Sequence, residues 1–250
     1  MIEIQEFSID HYIKKLQKGE YFSFSGWSDA EWLAMIGSRI GGSTAAGQIW
    51  TKEIGDQLKE ALKEAIKQPD IYPAVPKVLL SPDSGVGQGD MSEILRKMGF
   101  YNAVFYERDM VTDNLAAKEG GLREFIKQLR QMDVYFVGNV CLKGLHFLKY
   151  KQFFETETLY NFHQVPFGIE NMVNKILDFG KPGVYLTAVG MSDAVMISKL
   201  HGKIPKSFFI DVGSIFDAFV GIGGQREWRA NLYADTSKWL SWVNSQLYNL

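Results

Sequence analysis

The chain has 250 residues, 46% of them hydrophobic and 22% charged, with a formal net charge of −2. That composition belongs to a globular protein long enough for one large core or two small ones, and it argues against a strongly basic surface built for nucleic acid. No apolar run approaches the ~20 residues of a membrane-spanning helix. The single cysteine, Cys141, has no internal partner for a disulfide, which fits a reducing compartment. The start, "MIEIQEFSID", lacks a basic region followed by an apolar one, so no secretion signal is read and a cytoplasmic location is expected.

The first 70 residues read as mainly helical, a flank to whatever follows. Within them, "FSFSGWSDAEWLAMIG" (22–37) carries an aromatic run that breaks at Gly26, then two acids, Asp29 and Glu31, then a helical apolar pattern. Ser28 and Glu31 have the S-x-x-E spacing of a capping box, in which Ser28 caps, Glu31 reaches back, and Leu33 and Ile36 face the core. The same strand-to-helix corner could instead offer both acids to a hard cation such as Mg²⁺ or Mn²⁺. Composition changes at "IKQPDIYPAVPKVLLSP", a possible hinge near 68–77 inside what otherwise reads as one domain, 1–250.

Beyond that point short apolar runs alternate with helical patterns. "KVLLSP", "NAVFYE", "DVYFVGN", "YNFHQVP", "GVYLTAVG" and "KSFFIDVG" read as strands. "DMSEILRKMG", "NLAAKEGGLREFIKQLRQ", "CLKGLHFLKY", "ENMVNKILDFG", "SDAVMISKLHG" and "SIFDAFV" read as the helices between them. Trp239, Leu240, Val243 and Leu247 form a helical stripe near the end, expected as a packing face. Such alternation predicts an α/β fold, Rossmann-like and doubly wound, with a mostly parallel sheet covered by helices on both faces.

In such sheets ligands bind beyond the carboxyl ends of the strands. "SPDSGVGQGD" has glycines at 85, 87 and 89 but aspartate at 90, so the G-x-G-x-x-G dinucleotide fingerprint fails. In "TAVGMSDAVMISKL", Gly190 permits close backbone approach, and Ser192 opens a helix whose free N–H groups could hold a phosphate. Asp193 just inside that helix favours the terminus, but it opposes an anion unless a cation intervenes. Asp211 ends a strand, with Gly213 and Ser214 starting the next turn; a carboxylate there could bind a sugar hydroxyl or a metal, or merely cap. Glu107, ahead of Arg108 and Asp109, is a candidate general base or part of a solvated charge cluster. None of His11, His146, His163 and His201 pairs at metal-ligand spacing, so zinc is not expected; His163 falls inside a predicted strand.

Two segments carry a resemblance. Gly26, Trp27, Ser28, Asp29, Ala30 and Glu31 resemble the D-x-E region of the GT-D type glycosyltransferases, where an arginine, an aromatic and G-D-G-E precede an apolar helix. "GVYLTAVGMSDAVMISKLHGKIPKSFFIDVGSIFDAF" is similar to that family's strand, glycine-containing turn, helix, and strand ending in I-D-x-G. Order and spacing agree from about residue 20 to 220. The resemblance implies transfer of a sugar from a nucleotide-sugar donor, a UDP-sugar, to the hydroxyl of a glycan, a protein or a modified nucleobase. Asp29 and Glu31 would then serve a divalent cation, Mn²⁺ or Mg²⁺, and the donor diphosphate. Gly190, Ser192, Asp211 and Ser214 would line the donor cleft. Glu107 is the first choice and Asp217 the second for the base of an inverting reaction. Gly26 stands where the family has arginine, and Ser28 and Ala30 replace its two glycines; Arg39 or Arg108 could compensate. A non-catalytic nucleotide- or glycan-binding protein, and a Rossmann-like methyltransferase, are the rival readings.

Overall fold

A computed structural model describes residues 2–37, 40–42, 47–76, 88–107, 121–158, 161–221 and 236–247. Its eight strands are β1 (Ile2–Gln5), β2 (Ser23–Gly26), β3 (Ile71–Val75), β4 (Ala103–Glu107), β5 (Val134–Asn139), β6 (Gln152–Thr156), β7 (Val184–Ala188) and β8 (Phe208–Asp211). They form one sheet in the order β1-β4-β3-β2-β8-β7-β5-β6, and every pairing is parallel. Successive side chains point to opposite faces of a strand, so alternate residues feed two cores. Val75, Phe105, Tyr135, Val137, Tyr185 and Phe209 pack on one face. Phe24, Ala74, Phe136, Leu186 and Ile210 pack on the other. This double burial explains why strands such as β5 are buried along their whole length.

Among the described residues the helices are α1 (Ile9–Lys18), α2 (Asp29–Ile36), α3 (Lys52–Lys67), α4 (Gln88–Lys97), α5 (Gly121–Leu129), α6 (Gly168–Phe179), α7 (Ser192–Leu200) and α8 (Thr236–Leu247). Helix α3 shows the local logic. Thr51 accepts from the Ile54 N–H as N-cap, Ile54, Leu58, Ala61, Leu62 and Ala65 form the buried stripe, and Pro69 follows the C-cap at Gln68. Helices α2, α3, α4, α6 and α7 contribute to the first core, α1 and α5 to the second. Among the described residues, no helix is long and apolar enough to cross a membrane.

The expected fold class is the one observed, with differences in detail. The first 70 residues supply two strands beside their helices, and β2 sits in the middle of the sheet. The predicted strand "KVLLSP" lies outside the described residues. The strand of that region is β3, within the stretch read as a possible hinge. Pro73 argues against a central strand because it cannot donate. It is tolerated because the Ala74 carbonyl serves Trp27 on the β2 side, which turns Pro73 toward β4, whose ladder begins only at Ala74. The predicted strand "YNFHQVP" is instead a 3-10 turn at Phe162–Gln164, and His163 lies on that turn; the edge strand is β6, eight residues earlier. "CLKGLHFLKY" forms two 3-10 turns, and "SIFDAFV" only the turn Asp217–Phe219. Ile36 and Leu240, expected to pack, are exposed. On α8 the docked face runs through Trp239, which donates to the Ala218 carbonyl at 2.6 Å, and Trp242, which packs on Phe219.

Gly55 lies where α3 crosses α2, and a Cβ there would collide with the Ala34 carbonyl oxygen. A helical glycine replaced by alanine ordinarily gains ~0.5–1 kcal/mol. Here the sign reverses: Gly55→Ala is expected to lose about 1–3 kcal/mol through overpacking. Chemical denaturation of the two proteins measures it, and a stabilised variant would contradict the close crossing.

Candidate active site

Strands β2, β8 and β7 are neighbours, so their carboxyl ends lie within ~10 Å of one another at ordinary strand spacing. The loops leaving them carry most of the residues singled out above. At β2 the chain turns through Trp27, which is fully buried and donates from its ring to Ser25 Oγ at 3.0 Å. Ser28 is extended, as an N-cap must be, and α2 begins at Asp29. The capping box is formed: the Ser28 N–H and hydroxyl donate to Glu31 Oε2 at 2.7 and 2.6 Å. Asp29 is exposed on the first turn, while Glu31 is buried.

At β8, Asp211 is a clamp. Its two oxygens accept from the Gly26 N–H at 2.9 Å and the Gly213 N–H at 2.7 Å, joining the end of β2 to the turn after β8. At β7, Gly190 has φ +67, a left-handed conformation that favours glycine, and α7 starts two residues later. Ser192 Oγ is fully buried and has no hydrogen-bond partner among the described residues, so a polar donor is held at this helix N-terminus.

Three carboxylates thus share one buried corner: Glu31, Asp193 and Asp211 are 6%, 1% and 4% exposed. Asp193 Oδ2 accepts from the Val189 N–H at 2.8 Å. Thr187 faces the same carboxyl but outside good hydrogen-bond geometry. Burial first, then the charge of Asp211, with Glu31 adding, hold the Asp193 carboxyl well above the usual carboxylate range, against the smaller opposing effects of Thr187 and Val189. A carboxyl shifted toward its neutral form opposes an anion at the start of α7 less than an ordinary carboxylate does, which weakens the objection raised by its position.

A raised folded-state pKa also has a stability consequence. Between about pH 4 and the folded pKa the native chain binds more protons than the unfolded one, so this contribution declines as pH rises through that window. Asp193→Asn keeps an acceptor for Val189 and removes the ionisation. Its melting temperature is expected to exceed that of the wild type near pH 8, with the gap closing toward about pH 4. Melting curves across that range check it, and a gap that widens on acidification would refute it.

The other expected site residues lie on neighbouring strands and turns. Glu107 is buried at the end of β4, two strands from β2 and about 10 Å away by strand spacing. Ser214 and Asp217 are half-buried in the turns after β8, where the Asp217 N–H donates to the Ser214 carbonyl. Arg39, Arg108, Asp109 and the glycine-rich loop through Gly85 and Gly87 lie outside the described residues. Among the described residues, no three histidine, cysteine or acidic side chains are arranged to hold one metal ion. A groove of about 500 Å³ lined by Met35, Ile36, Lys59, Lys63, Ile94 and Met98 lies on the α2–α3–α4 face. Its charges are taken up in exposed ion pairs such as Lys63–Glu60 and Lys97–Glu93, so the chemistry points to the strand edge instead.

The sequence reading missed residues 47–50 altogether. This short segment lies against the turn after β7 and is tied down on both sides. Asn161 accepts from the Ile49 N–H at 2.9 Å and donates to the Gly47 carbonyl at 3.1 Å. His163 Nε2 donates to the Ile49 carbonyl at 2.8 Å, and the Trp50 ring N–H donates to the Ala30 carbonyl of α2 at 3.0 Å. Gln48, held between these ties, lays its side chain against Gly190, where a Cβ would collide with the amide nitrogen. Nothing in the local sequence marks Gln48, because its neighbours are more than a hundred residues away.

These features define a Rossmann-like α/β protein with acids, a glycine turn and a helix N-terminus gathered on one sheet edge. Within that class, the chain has the fold of solved structures of domain of unknown function 1792. A glycosyltransferase of that domain from Streptococcus sanguinis superposes with a TM-score of 0.63 over 91% of this chain and 87% of its own, at 13% identity. A second structure of the domain, described as having a distinct glycosyltransferase fold, gives 0.58 over 86% and 79%, at 15% identity. The resemblance to the GT-D type therefore holds at the level of fold. No protein-family model and no curated protein matches the chain.

Proposed function

We propose that the chain is a metal-dependent glycosyltransferase that moves a sugar from a nucleotide-sugar donor, a UDP-sugar, to an acceptor hydroxyl. The observation that carries this reading is the convergence of Glu31, Asp193, Asp211, Gly190 and Ser192 on three adjacent strand ends, in a fold shared with a named glycosyltransferase.

In this proposal a divalent cation sits at Asp29 and Glu31, two carboxylates at the start of α2. Mg²⁺ and Mn²⁺ take hard oxygen ligands, and Mg²⁺ sites commonly use one or two carboxylates and fill the other positions with phosphate oxygens and water. Asp29 and Glu31 are the proposed pair, with the buried carboxyls of Asp193 and Asp211 near Glu31. A cation bound there would offset the charge that develops on the departing diphosphate.

The chain's own groups supply the rest. The Ser192 hydroxyl, and the first-turn N–H groups of α7 other than that of Asp193, which donates to the Gly190 carbonyl, can donate to phosphate oxygens. Gly190 lets the backbone come close, and Asp211 fixes the β2 corner relative to the β8 turn. Glu107, two strands from β2, is the first choice for the base that accepts the acceptor's proton. Asp217 is the second choice for that role.

Thermal shift with UDP, S-adenosylmethionine and Mn²⁺ tests the reading. Stabilisation by UDP only when Mn²⁺ is present is the expected result, followed by hydrolysis of a nucleotide sugar in a donor screen. Stabilisation by S-adenosylmethionine alone would make the chain a methyltransferase, and no response to any of them would favour a binding protein.

A further inference from the structure

We propose that Phe167 binds the acceptor, its exposed ring stacking on the apolar face of a sugar unit in a glycan. The inference rests on the glycosyltransferase reading above and adds to it the class of the acceptor and a residue that contacts it.

The turn that holds Phe167 is the first observation. The Gly168 N–H donates to the Val165 carbonyl at 2.8 Å across Pro166 and Phe167, and Phe167 has φ 56 and ψ 16. Proline second and a positive φ third is the form of a type II turn, whose third position favours glycine or asparagine. A bulky side chain is held there against its backbone preference. Two other described non-glycine residues have positive φ, Lys149 and Lys206, and both are exposed lysines whose charged ends suit water. Phe167 is 76% exposed. One exposed apolar side chain is ordinary on a protein surface. An exposed one in a glycine position carries two penalties, and its service to α6 comes from its backbone, whose carbonyl accepts from the Asn171 N–H. Local strain of this kind persists where the side chain is used.

Its place is the second. Strands β6 and β7 both run parallel to β5, and α6 returns the chain from the end of one to the start of the other. The turn before α6 is therefore on the carboxyl side of the sheet, as the candidate site is. Four residues earlier, His163, with Asn161 before it, holds residues 47–50, which lie against the Gly190 turn proposed for the donor.

Charge is the third. No lysine or arginine falls between Lys151 and Lys175, a stretch that carries Glu155, Glu157 and Glu170. Stacking alone would suit a nucleobase as well as a sugar, but a stretch without such cations does not draw a polyanionic strand. A neutral glycan fits it. The C–H groups on one face of a sugar ring meet the electron-rich face of the aromatic ring, and the hydroxyls at its rim stay in water or reach an exposed polar side chain such as Gln164.

The test measures transfer, in Mn²⁺, from the nucleotide sugar found in the donor screen to three panels: free oligosaccharides, peptides containing serine and threonine, and single-stranded oligonucleotides. Wild type is expected to use oligosaccharides. Phe167→Gly should raise the oligosaccharide KM about tenfold, the scale of one aromatic contact, with the donor KM within about twofold. Phe167→Tyr, which keeps the ring, should stay within about threefold of wild type. Glycine suits the turn, so Phe167→Gly should melt within a few degrees of wild type, which separates a lost contact from a lost fold. An oligosaccharide KM within about twofold of wild type in Phe167→Gly overturns the residue's role. Transfer by wild type to peptides or oligonucleotides but not to oligosaccharides, or to none of the three despite donor hydrolysis, overturns the acceptor class. A wild type that neither binds nor hydrolyses any nucleotide sugar overturns the parent reading and this inference with it.

Discussion

An Asp29→Asn, Glu31→Gln double variant is expected to bind UDP in the presence of Mn²⁺ at least about 100-fold more weakly than the wild type, while melting within a few degrees of it. The size follows from the metal chemistry: groups that only support a metal ligand cost 10–100-fold when changed, so removing two proposed ligands should cost more. The fold should survive because of what each side chain does locally. Glu31 accepts the Ser28 N–H and hydroxyl in a capping box, and glutamine can serve in the same box. Asp29 is exposed, and losing its charge forgoes only the ~0.3–1 kcal/mol of a first-turn acid. Calorimetry with and without Mn²⁺ reads the effect. Unchanged affinity would mean that these acids start a helix and do nothing else.

Asp211→Ala is expected to have the largest effect on stability. The carboxylate is buried and is the acceptor for both the Gly26 and Gly213 N–H groups, one on each of two adjacent strand ends. Removing it leaves two donors without that partner, at roughly 1–3 kcal/mol each. For a chain of this size that is a fall in melting temperature of about 4–24 °C. Relief of the repulsion on Asp193 offsets part of the loss. Asp211→Asn should fall between the two, since its oxygen can serve one N–H while its NH₂ faces the other. A melting temperature within about 2 °C of wild type for the alanine variant would show that the clamp contributes little.

Much of this was legible in the chain itself. Gly190, Ser192 and Asp211 stood out because the runs before them read as strands and the text after them as helix or turn, and strand ends are where such folds place ligands. The capping box at Ser28 and Glu31 was legible from its three-residue spacing. Two strands were misplaced for identifiable reasons. "YNFHQVP" has the aromatic content of a strand, but the Val165 and Gly168 N–H groups fold back onto the Phe162 and Val165 carbonyls instead of pairing with a neighbour. β3 was hidden by Pro73, whose missing donor is harmless only because of the register of the strand beside it.

Period, capping and turn chemistry act over a few residues, and they determined from the sequence that this would be a doubly wound parallel α/β chain with its acids and glycine turn at strand ends. Only the tertiary structure decided which strand ends are neighbours. The order β2-β8-β7 joins residue 31 to residues 193 and 211, and brings three ordinary helix-start or strand-end acids together in one buried group. It also brought Gln48 onto Gly190 and Asn161 onto the segment that holds it. Those contacts join parts of the chain more than a hundred residues apart, and their energy comes from burial and from hydrogen bonds completed across the sheet, for which no local pattern exists to be read.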